Sequence, residues 1–151
     1  MAPHPSELTD HLGYWLRHVS NHVSQAFARK LAAKDVTVAE WALLRMLHDR
    51  EPTSPSLLAE DIGMTRGAIT KLAERLLNKE LIAREASLND RRSHTLRLTA
   101  RGASLVPELA GLADKNEAEC FAHLADRDRA ILRRILQETV TRLGLNGIPI
   151  D

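Results

Sequence analysis

Residues 65–101, TRGAITKLAERLLNKELIAREASLNDRRSHTLRLTAR, decide the fold of this chain, because their pattern predicts one amphipathic helix followed by one charged hairpin. The stretch contains nine lysines and arginines against four acids, a local charge of +5, whereas the whole chain carries only +1. Because positive charge is concentrated in this one segment, we expect a polyanion as partner.

The first half of the stretch predicts the second helix of a helix-turn-helix. Thr65 is the expected N-cap, and apolar residues recur on one side of the helix, at Ile69, Leu72, Leu76 and Leu77. The opposite side is polar and mainly basic, with Arg66, Thr70, Lys71, Glu74 and Arg75. A shorter helix precedes it, starting at Ser54-Pro55 and ending at Gly63, so only two residues separate the two helices. Short connections of this kind are typical of DNA-binding helix pairs.

The second half predicts a wing. Short strands are expected at Leu81–Ala86 and Thr95–Thr99, with a turn-rich segment between them. Asp90 lies beside Arg91 and Arg92, where its carboxylate could hold a guanidinium in one orientation. Less side-chain entropy would then be lost when the arginine enters a narrow, negatively charged groove.

The flanking segments predict long helices with more apolar surface than one small domain can cover. A first helix is expected from Ser6 as N-cap to about Lys34–Asp35, and a capping box, Thr37 to Glu40, starts the next one. Two further helices should follow Thr99, the last capped by Asp126. We therefore predict a mainly α fold in which the helices of residues 1–35 and 100–147 form a dimerisation region and residues 36–99 form a winged helix-turn-helix with a two-stranded wing.

Composition and motifs argue against several other classes. No run of about eighteen apolar residues occurs, so a membrane span is not expected. The beginning of the sequence has neither the basic start nor the apolar core of a secretory signal, and Cys120 is the only cysteine, which together favour a cytoplasmic protein. No nucleotide-binding glycine loop, nucleophile elbow or zinc-protease helix is present, so we predict neither an enzyme nor a bound cofactor.

The segment LNKELIAREASLNDRRSHTLRLTARG, Leu77 to Gly102, resembles the MarR family of winged helix-turn-helix transcription regulators, as does LLAEDIGMTRGAITKLAERLLNKELIAR, residues 57–84. The resemblance extends from the first long helix to about Leu143. It implies a homodimer whose two recognition helices enter successive major grooves of a pseudo-palindromic operator, with a wing arginine in the flanking minor groove. In this family small ligands, oxidation or metal commonly relieve repression.

Carried onto this sequence, the resemblance implies contacts with bases and phosphates at Thr65, Arg66, Gly67, Ala68, Thr70 and Lys71. Arg75 would contact phosphate or form an internal ion pair. Arg92 is the expected minor-groove arginine, oriented by Asp90, while Arg91 would meet a phosphate, although the two arginines could exchange roles. Two other interpretations remain open: a solvated charged face, and a winged-helix protein-interaction module that does not bind DNA.

A possible effector site involves the first two helices. His11, His18 and His22 share one helical face beside Trp15, and Trp41 with Arg45 could close a pocket there. Such a pocket would suit an anionic aromatic ligand with Arg45 or Arg17 as counter-charge, or zinc or copper on the histidines. The alternatives are surface histidines and, for Cys120, either an inert core position or an oxidation sensor. We predict an organic effector from Trp15, His18, His22, Trp41 and Arg45, and no metal site.

Overall fold

The structure is a computed structural model that describes residues 2–87 and 93–150. A single turn of 3-10 helix at Leu8–Asp10 precedes eight elements: α1 (Leu12–Ala32), α2 (Val38–His48), α3 (Pro55–Ile62), α4 (Arg66–Asn78), β1 (Ile82–Ala86), β2 (His94–Leu98), α5 (Ala100–Phe121) and α6 (Asp126–Arg142). The mainly α fold with a two-stranded antiparallel sheet is confirmed.

Local side-chain chemistry sets the start of four helices. In the box before α2, the Thr37 amide donates to Glu40 Oε1 at 2.9 Å and the Glu40 amide donates to Thr37 Oγ1 at 3.1 Å. Ser54, Thr65 and Thr99 accept in the same way at the starts of α3, α4 and α5. These caps satisfy amides that have no acceptor inside the helix, so the helices begin where the sequence predicts.

Two predicted helix starts were wrong. α1 does not begin after Ser6, because the Glu7 amide donates to Asp10 Oδ2 at 2.9 Å and closes a separate turn, and the backbone is extended at His11 before α1 starts. α6 is preceded by Ala125, while Asp126 is its first residue and does not cap it. At that position Asp126 still stabilises the positive end of the helix dipole.

The hairpin is fixed to the helical core by a third backbone segment. β1 and β2 pair from Ile82 with Leu98 to Ala86 with His94. On its other edge, Leu96 exchanges two backbone hydrogen bonds with Thr53, at 2.8 and 3.0 Å, and its side chain is buried. The base of the wing is therefore joined directly to the segment that leads into α3.

One ion pair joins the start of α2 to the end of α4. Glu40 is 1% exposed, and its carboxylate lies 2.9 Å from Lys79 Nζ, which also donates to the Asp35 carbonyl. Burial alone would raise the pKa of Glu40, but the hydrogen bonds from Lys79 and Thr37 outweigh it, so the net pKa lies below its ordinary value of 4.5. Folding therefore favours the ionised carboxylate.

We expect Glu40→Gln to destabilise the protein by about 1–3 kcal/mol at pH 7, because it removes the buried carboxylate beside Lys79 and leaves only the exposed Asp35 carboxylate, 3.8 Å from Nζ. Since the folded-state pKa is lowered, the wild-type advantage is present above pH 4.5 and should be lost as the pH falls through the folded-state pKa. Urea unfolding of both proteins at pH 7 and pH 3.5 measures this. Glu60→Gln, at an exposed position of α3, controls for the loss of a carboxylate; a difference that grows at low pH would contradict the prediction.

The first and last helices leave apolar faces uncovered. On α1, Leu12 and Trp15 are 81% and 54% exposed, and none of the residues of α6 is buried. The exposed apolar side chains of α6 are Ile131, Leu132, Ile135, Leu136 and Val140, with Leu143 just beyond its end. In the part of the chain that the structure describes, no helix is long and apolar enough to cross a membrane.

Candidate nucleic-acid interface and ligand pocket

The outer face of α4 carries the side chains predicted to contact DNA. Its inner face is buried, with Ile69 and Leu76 at 0% exposure, so the rotation of the helix is fixed. The residues on the exposed side are Thr65, Arg66, Gly67, Thr70, Lys71 and Arg75, while Ala68 is half-buried. The structure thus places the predicted group together on one surface.

The start of α4 is suited to bind an anion. The Thr65 hydroxyl accepts from the Ala68 amide at 3.1 Å, whereas the amides of Arg66 and Gly67 are first-turn groups that have no acceptor within the helix. They lie at the positive end of the helix dipole. A Cβ added at Gly67 would meet nothing within 4 Å, so a ligand backbone can approach closely there.

The described basic residues of segment 65–101 separate into two groups. Three form ion pairs within the chain: Lys79 with Glu40, Arg97 with Glu85, and Arg101 with Glu80. Four have no acidic partner among the described residues: Arg66, Lys71, Arg75 and Arg84. Three of these four lie on α4. The internal ion pair that the sequence offered as an alternative for Arg75 is not present among the described residues. The uncompensated positive charge is therefore more localised than the sequence count indicates.

The wing is described only up to its tip. Beyond the paired strands, the Ser87 amide donates to the Ser93 carbonyl at 3.0 Å, which continues the hairpin towards its tip. The predicted contacts of Asp90, Arg91 and Arg92 lie outside the described residues.

A cavity of about 1040 Å³ lies between α1, α2 and α5. Its apolar walls include Val23, Phe27, Trp41 and Met46, and the rings of Phe27 and Trp41 meet edge to face with centroids 6.5 Å apart. Arg45 and Arg50 also line it. The cavity therefore combines aromatic surface with two cationic and two acidic side chains, the latter from Asp49 and Glu117, and its arginines are the groups that could bind a small aromatic anion.

Both arginines already have acidic neighbours. Arg45 Nη1 lies 3.0 Å from Asp49 Oδ2, and this hydrogen bond, with a smaller contribution from His48, lowers the pKa of Asp49. Arg50 Nη1 lies 2.7 Å from Asp61 Oδ2. Each guanidinium keeps further N–H donors for a ligand because it carries five.

The predicted effector residues do not form one site within this chain. Trp41 and Arg45 line the cavity, whereas Trp15, His18 and His22 do not. Successive residues are rotated by about 100° around a helix, and the cavity lies against the side of α1 that carries Val23 and Phe27. Trp15 instead donates its indole N–H to the Thr9 carbonyl at 3.0 Å.

The proposed histidine face offers no assembled metal site. His18 and His22 are exposed on α1, His11 is exposed just before the helix starts, and His18 stacks edge to face on Tyr14 at 4.7 Å. Within residues 2–87 and 93–150, no group of three or more His, Cys, Asp or Glu side chains could hold a metal ion. Cys120 is a free, half-buried thiol.

Two parts of the cavity were not predicted from the sequence. Asn116 is 4% exposed and closes its α5 side, where it donates to the Val23 carbonyl and accepts from Lys30 at 3.0 Å. Ile148, Pro149 and Ile150, which the sequence left unassigned, form another wall. An isolated asparagine on a helix and a short Pro-containing segment carry no pattern that predicts a pocket.

Comparisons with known proteins agree with this geometry. Residues 36–94 match the model of the MarR family. A protein of Thauera aromatica, described provisionally as a transcriptional regulatory protein for the hcr operon, is 28% identical over 127 residues, which cover 83% of this chain and 76% of the relative.

Two solved structures share the fold at low sequence identity. One is a mutant of MarR from E. coli complexed with operator DNA, with a TM-score of 0.76 at 23% identity, covering 85% of this chain and 93% of the other. The second is BpsR of Bordetella bronchiseptica, from work on the regulation of its DNA binding by 6-hydroxynicotinic acid, with a TM-score of 0.77 at 22% identity and coverage of 90% and 97%.

Proposed function

We propose that this protein, whose residues 36–94 match the model of the MarR family, is a homodimeric transcriptional repressor that occludes a pseudo-palindromic operator in double-stranded DNA. In this proposal residues 36–99 bind DNA, and the helices of residues 1–35 and 100–147 hold two copies together. A small aromatic or anionic ligand releases the complex.

The unpaired cations on α4 are the observation that carries the DNA-binding proposal. Arg66, Lys71 and Arg75 project from a helix whose other side is locked into the core, and the first-turn amides beside them suit a phosphate. Because the helix backbone is already fixed, only side-chain freedom is lost on binding, and phosphate contact releases counterions from DNA. We assign α4 to the major groove and the wing to the minor groove and its flank. In the wing, Arg92 would enter the minor groove, oriented by Asp90, and Arg91 would contact a phosphate.

Direct DNA binding is the decisive test of this proposal. The purified protein should bind the duplex upstream of its own coding region in preference to random duplex of equal length, with an affinity that falls as salt is raised. Gel shift and fluorescence anisotropy measure both quantities. Equal affinity for the two duplexes at every salt concentration would refute sequence-specific binding, and binding to neither duplex would favour a protein-interaction module.

The cavity supports the ligand part of the proposal. Phe27 and Trp41 offer ring surface for stacking, and Arg45 and Arg50 offer donors for a carboxylate. The regulation of BpsR by 6-hydroxynicotinic acid gives a first probe of this chemistry. We propose that the effector is an aromatic carboxylate or a molecule of similar charge and size.

We expect an aromatic carboxylate to quench the fluorescence of Trp41 in a saturable manner, because this indole lines the cavity. A panel that begins with 6-hydroxynicotinic acid is titrated into the Trp15→Phe variant, in which Trp41 is the remaining tryptophan. Arg45→Ala should weaken binding about tenfold or more, the cost of a lost hydrogen bond to a charged group. Trp41→Phe in the otherwise unmodified protein, which keeps Trp15, should abolish the quenching.

Two results would contradict this ligand class. One is the absence of saturable quenching by every member of the panel while operator binding stays intact. The other is quenching of Trp15 fluorescence without quenching of Trp41 fluorescence, which would place the ligand site outside the cavity.

A further inference from the structure

Residues 145–150, here called the strap, leave the end of α6 in a fixed direction. The Leu145 amide donates to the Val140 carbonyl and the Gly144 amide to the Thr141 carbonyl, both at 3.1 Å, with Gly144 at φ +64°. This pair of bonds around a left-handed glycine is the Schellman motif, which turns the chain sharply after a helix. The strap therefore starts from a defined geometry at the end of a proposed dimerisation helix.

The strap is seated on the turn of the helix-turn-helix. The Ile148 amide donates to the Ile62 carbonyl at 2.9 Å, and this carbonyl belongs to the last residue of α3. Such terminal carbonyls have no partner inside the helix, so the strap satisfies one of them. Gly147 lies directly against Gly63, the residue that turns the chain towards α4.

The seat requires glycine at position 147. Its φ is +80°, and an added Cβ would lie 2.6 Å from the Ile62 carbonyl oxygen, closer than real Cβ atoms approach an oxygen. Gly63 has φ +86°, and a Cβ there would lie 3.3 Å from the Cα of Gly147, a tight but less severe contact. Two backbones thus meet where neither position has a side chain.

The other end of the strap forms part of the cavity wall. Ile148, Pro149 and Ile150 line the cavity opposite Phe27 and Trp41, and Ile150 packs against the hydrophobic core. One six-residue segment therefore contacts both the cavity and the turn that starts α4. Ile150 lies two positions after Ile148, whose amide donates to the Ile62 carbonyl.

We propose that the strap couples the cavity to the helix-turn-helix: when seated it clamps the end of α3 and the start of α4, and displacement of Ile150 from the cavity wall loosens that clamp. The role of such displacement in ligand release rests on the proposed function. The coupling itself concerns only this chain and can be measured without DNA or ligand.

Gly147→Ala tests the coupling, with Gly144→Ala as its matched control. Both substitutions place a side chain on a left-handed glycine, but nothing lies within 4 Å of a Cβ at Gly144. Ile148→Pro is the second variant, because proline has no backbone N–H and cannot donate to the Ile62 carbonyl, wherever the strap then lies. All three are made in the Trp15→Phe background.

Two measurements follow the two ends of the strap. Hydrogen exchange of the peptide that contains Gly63 and Met64, whose amides donate to the Ala59 carbonyl at 2.9 Å, should be at least tenfold faster in Gly147→Ala and Ile148→Pro than in the control. The emission of Trp41 should shift to longer wavelength in the same two variants, because the cavity wall has opened.

The outcomes separate the coupling from the proposed function. Control-like exchange in both strap variants, or faster exchange with unchanged Trp41 emission in both, would overturn the coupling. Failure of the unmodified protein to prefer its operator would refute the proposed function, and the exchange and emission results would still decide the coupling.

Discussion

Replacement of Arg66, Lys71 and Arg75 by alanine together should weaken operator binding by about 3–6 kcal/mol, two to four orders of magnitude. These three side chains are the α4 cations that have no acidic partner among the described residues, and they lie on a helix fixed by its buried side. The slope of log affinity against log salt should also fall by about 2–3, because each lost phosphate contact removes roughly one unit. Both effects are measured by fluorescence anisotropy at salt concentrations between roughly 50 and 200 mM, the range over which such contacts dominate.

A single-residue comparison separates the α4 surface from net charge. Lys71→Ala and Arg101→Ala remove the same charge, but Arg101 Nη1 lies 3.9 Å from Glu80 and outside α4. We expect Lys71→Ala to account for about one unit of the salt slope. An equal effect of Arg101→Ala would show that overall charge governs binding, and would remove the α4 face from the proposal. Circular dichroism checks that both variants remain folded.

Local chemistry made the helix-turn-helix predictable from sequence. The cap residues Thr37, Ser54, Thr65 and Thr99 each act within three residues of their own position, so a short window contains all the information. Gly63, at φ +86°, is also a local signal, because a left-handed glycine ends α3 at its own position. These signals set the boundaries of α2 to α5, and the apolar period then set which side of α4 is buried.

Contacts between distant residues could not be predicted in this way. The bridge between Thr53 and Leu96 and the ion pair between Glu40 and Lys79 join segments about forty residues apart, and neither leaves a trace in local periodicity. The count of basic residues predicted a charged segment but could not show which cations pair internally. For the same reason the cavity combines Trp41 with Phe27 and not with Trp15.

The seating of the strap illustrates a further limit. Gly144, at φ +64°, ends the last helix through the Schellman motif, which is a local signal of the same kind as Gly63. The close approach of Gly147 to Ile62 depends on where α6 directs the chain, which is a property of the assembled fold. A glycine that serves close packing and a glycine that ends a helix are indistinguishable in a single sequence.

The uncovered face of α6 gives the second large effect that we expect. Its apolar side chains recur at positions 131, 132, 135, 136 and 140, so they form one stripe along the helix, and Ile135 is 47% exposed. A second copy of the chain is the occupant that a two-fold symmetric operator requires. Linking two DNA-binding units in this way raises operator affinity by about 10² to 10⁴ over a single unit.

Leu132→Glu combined with Leu136→Glu should therefore produce a monomer that has lost about 10² to 10⁴ in operator affinity, because two charges would have to be buried in the dimer interface. Both side chains are solvent-exposed within one chain, so residues 36–99 should stay folded. Gln137→Glu with Thr141→Glu is the matched control, since it adds the same two charges, four residues apart, on the opposite side of α6. Sedimentation velocity and anisotropy on the full operator measure mass and affinity. A Leu132→Glu, Leu136→Glu variant that remains dimeric with control-like affinity would exclude the α6 stripe from the interface.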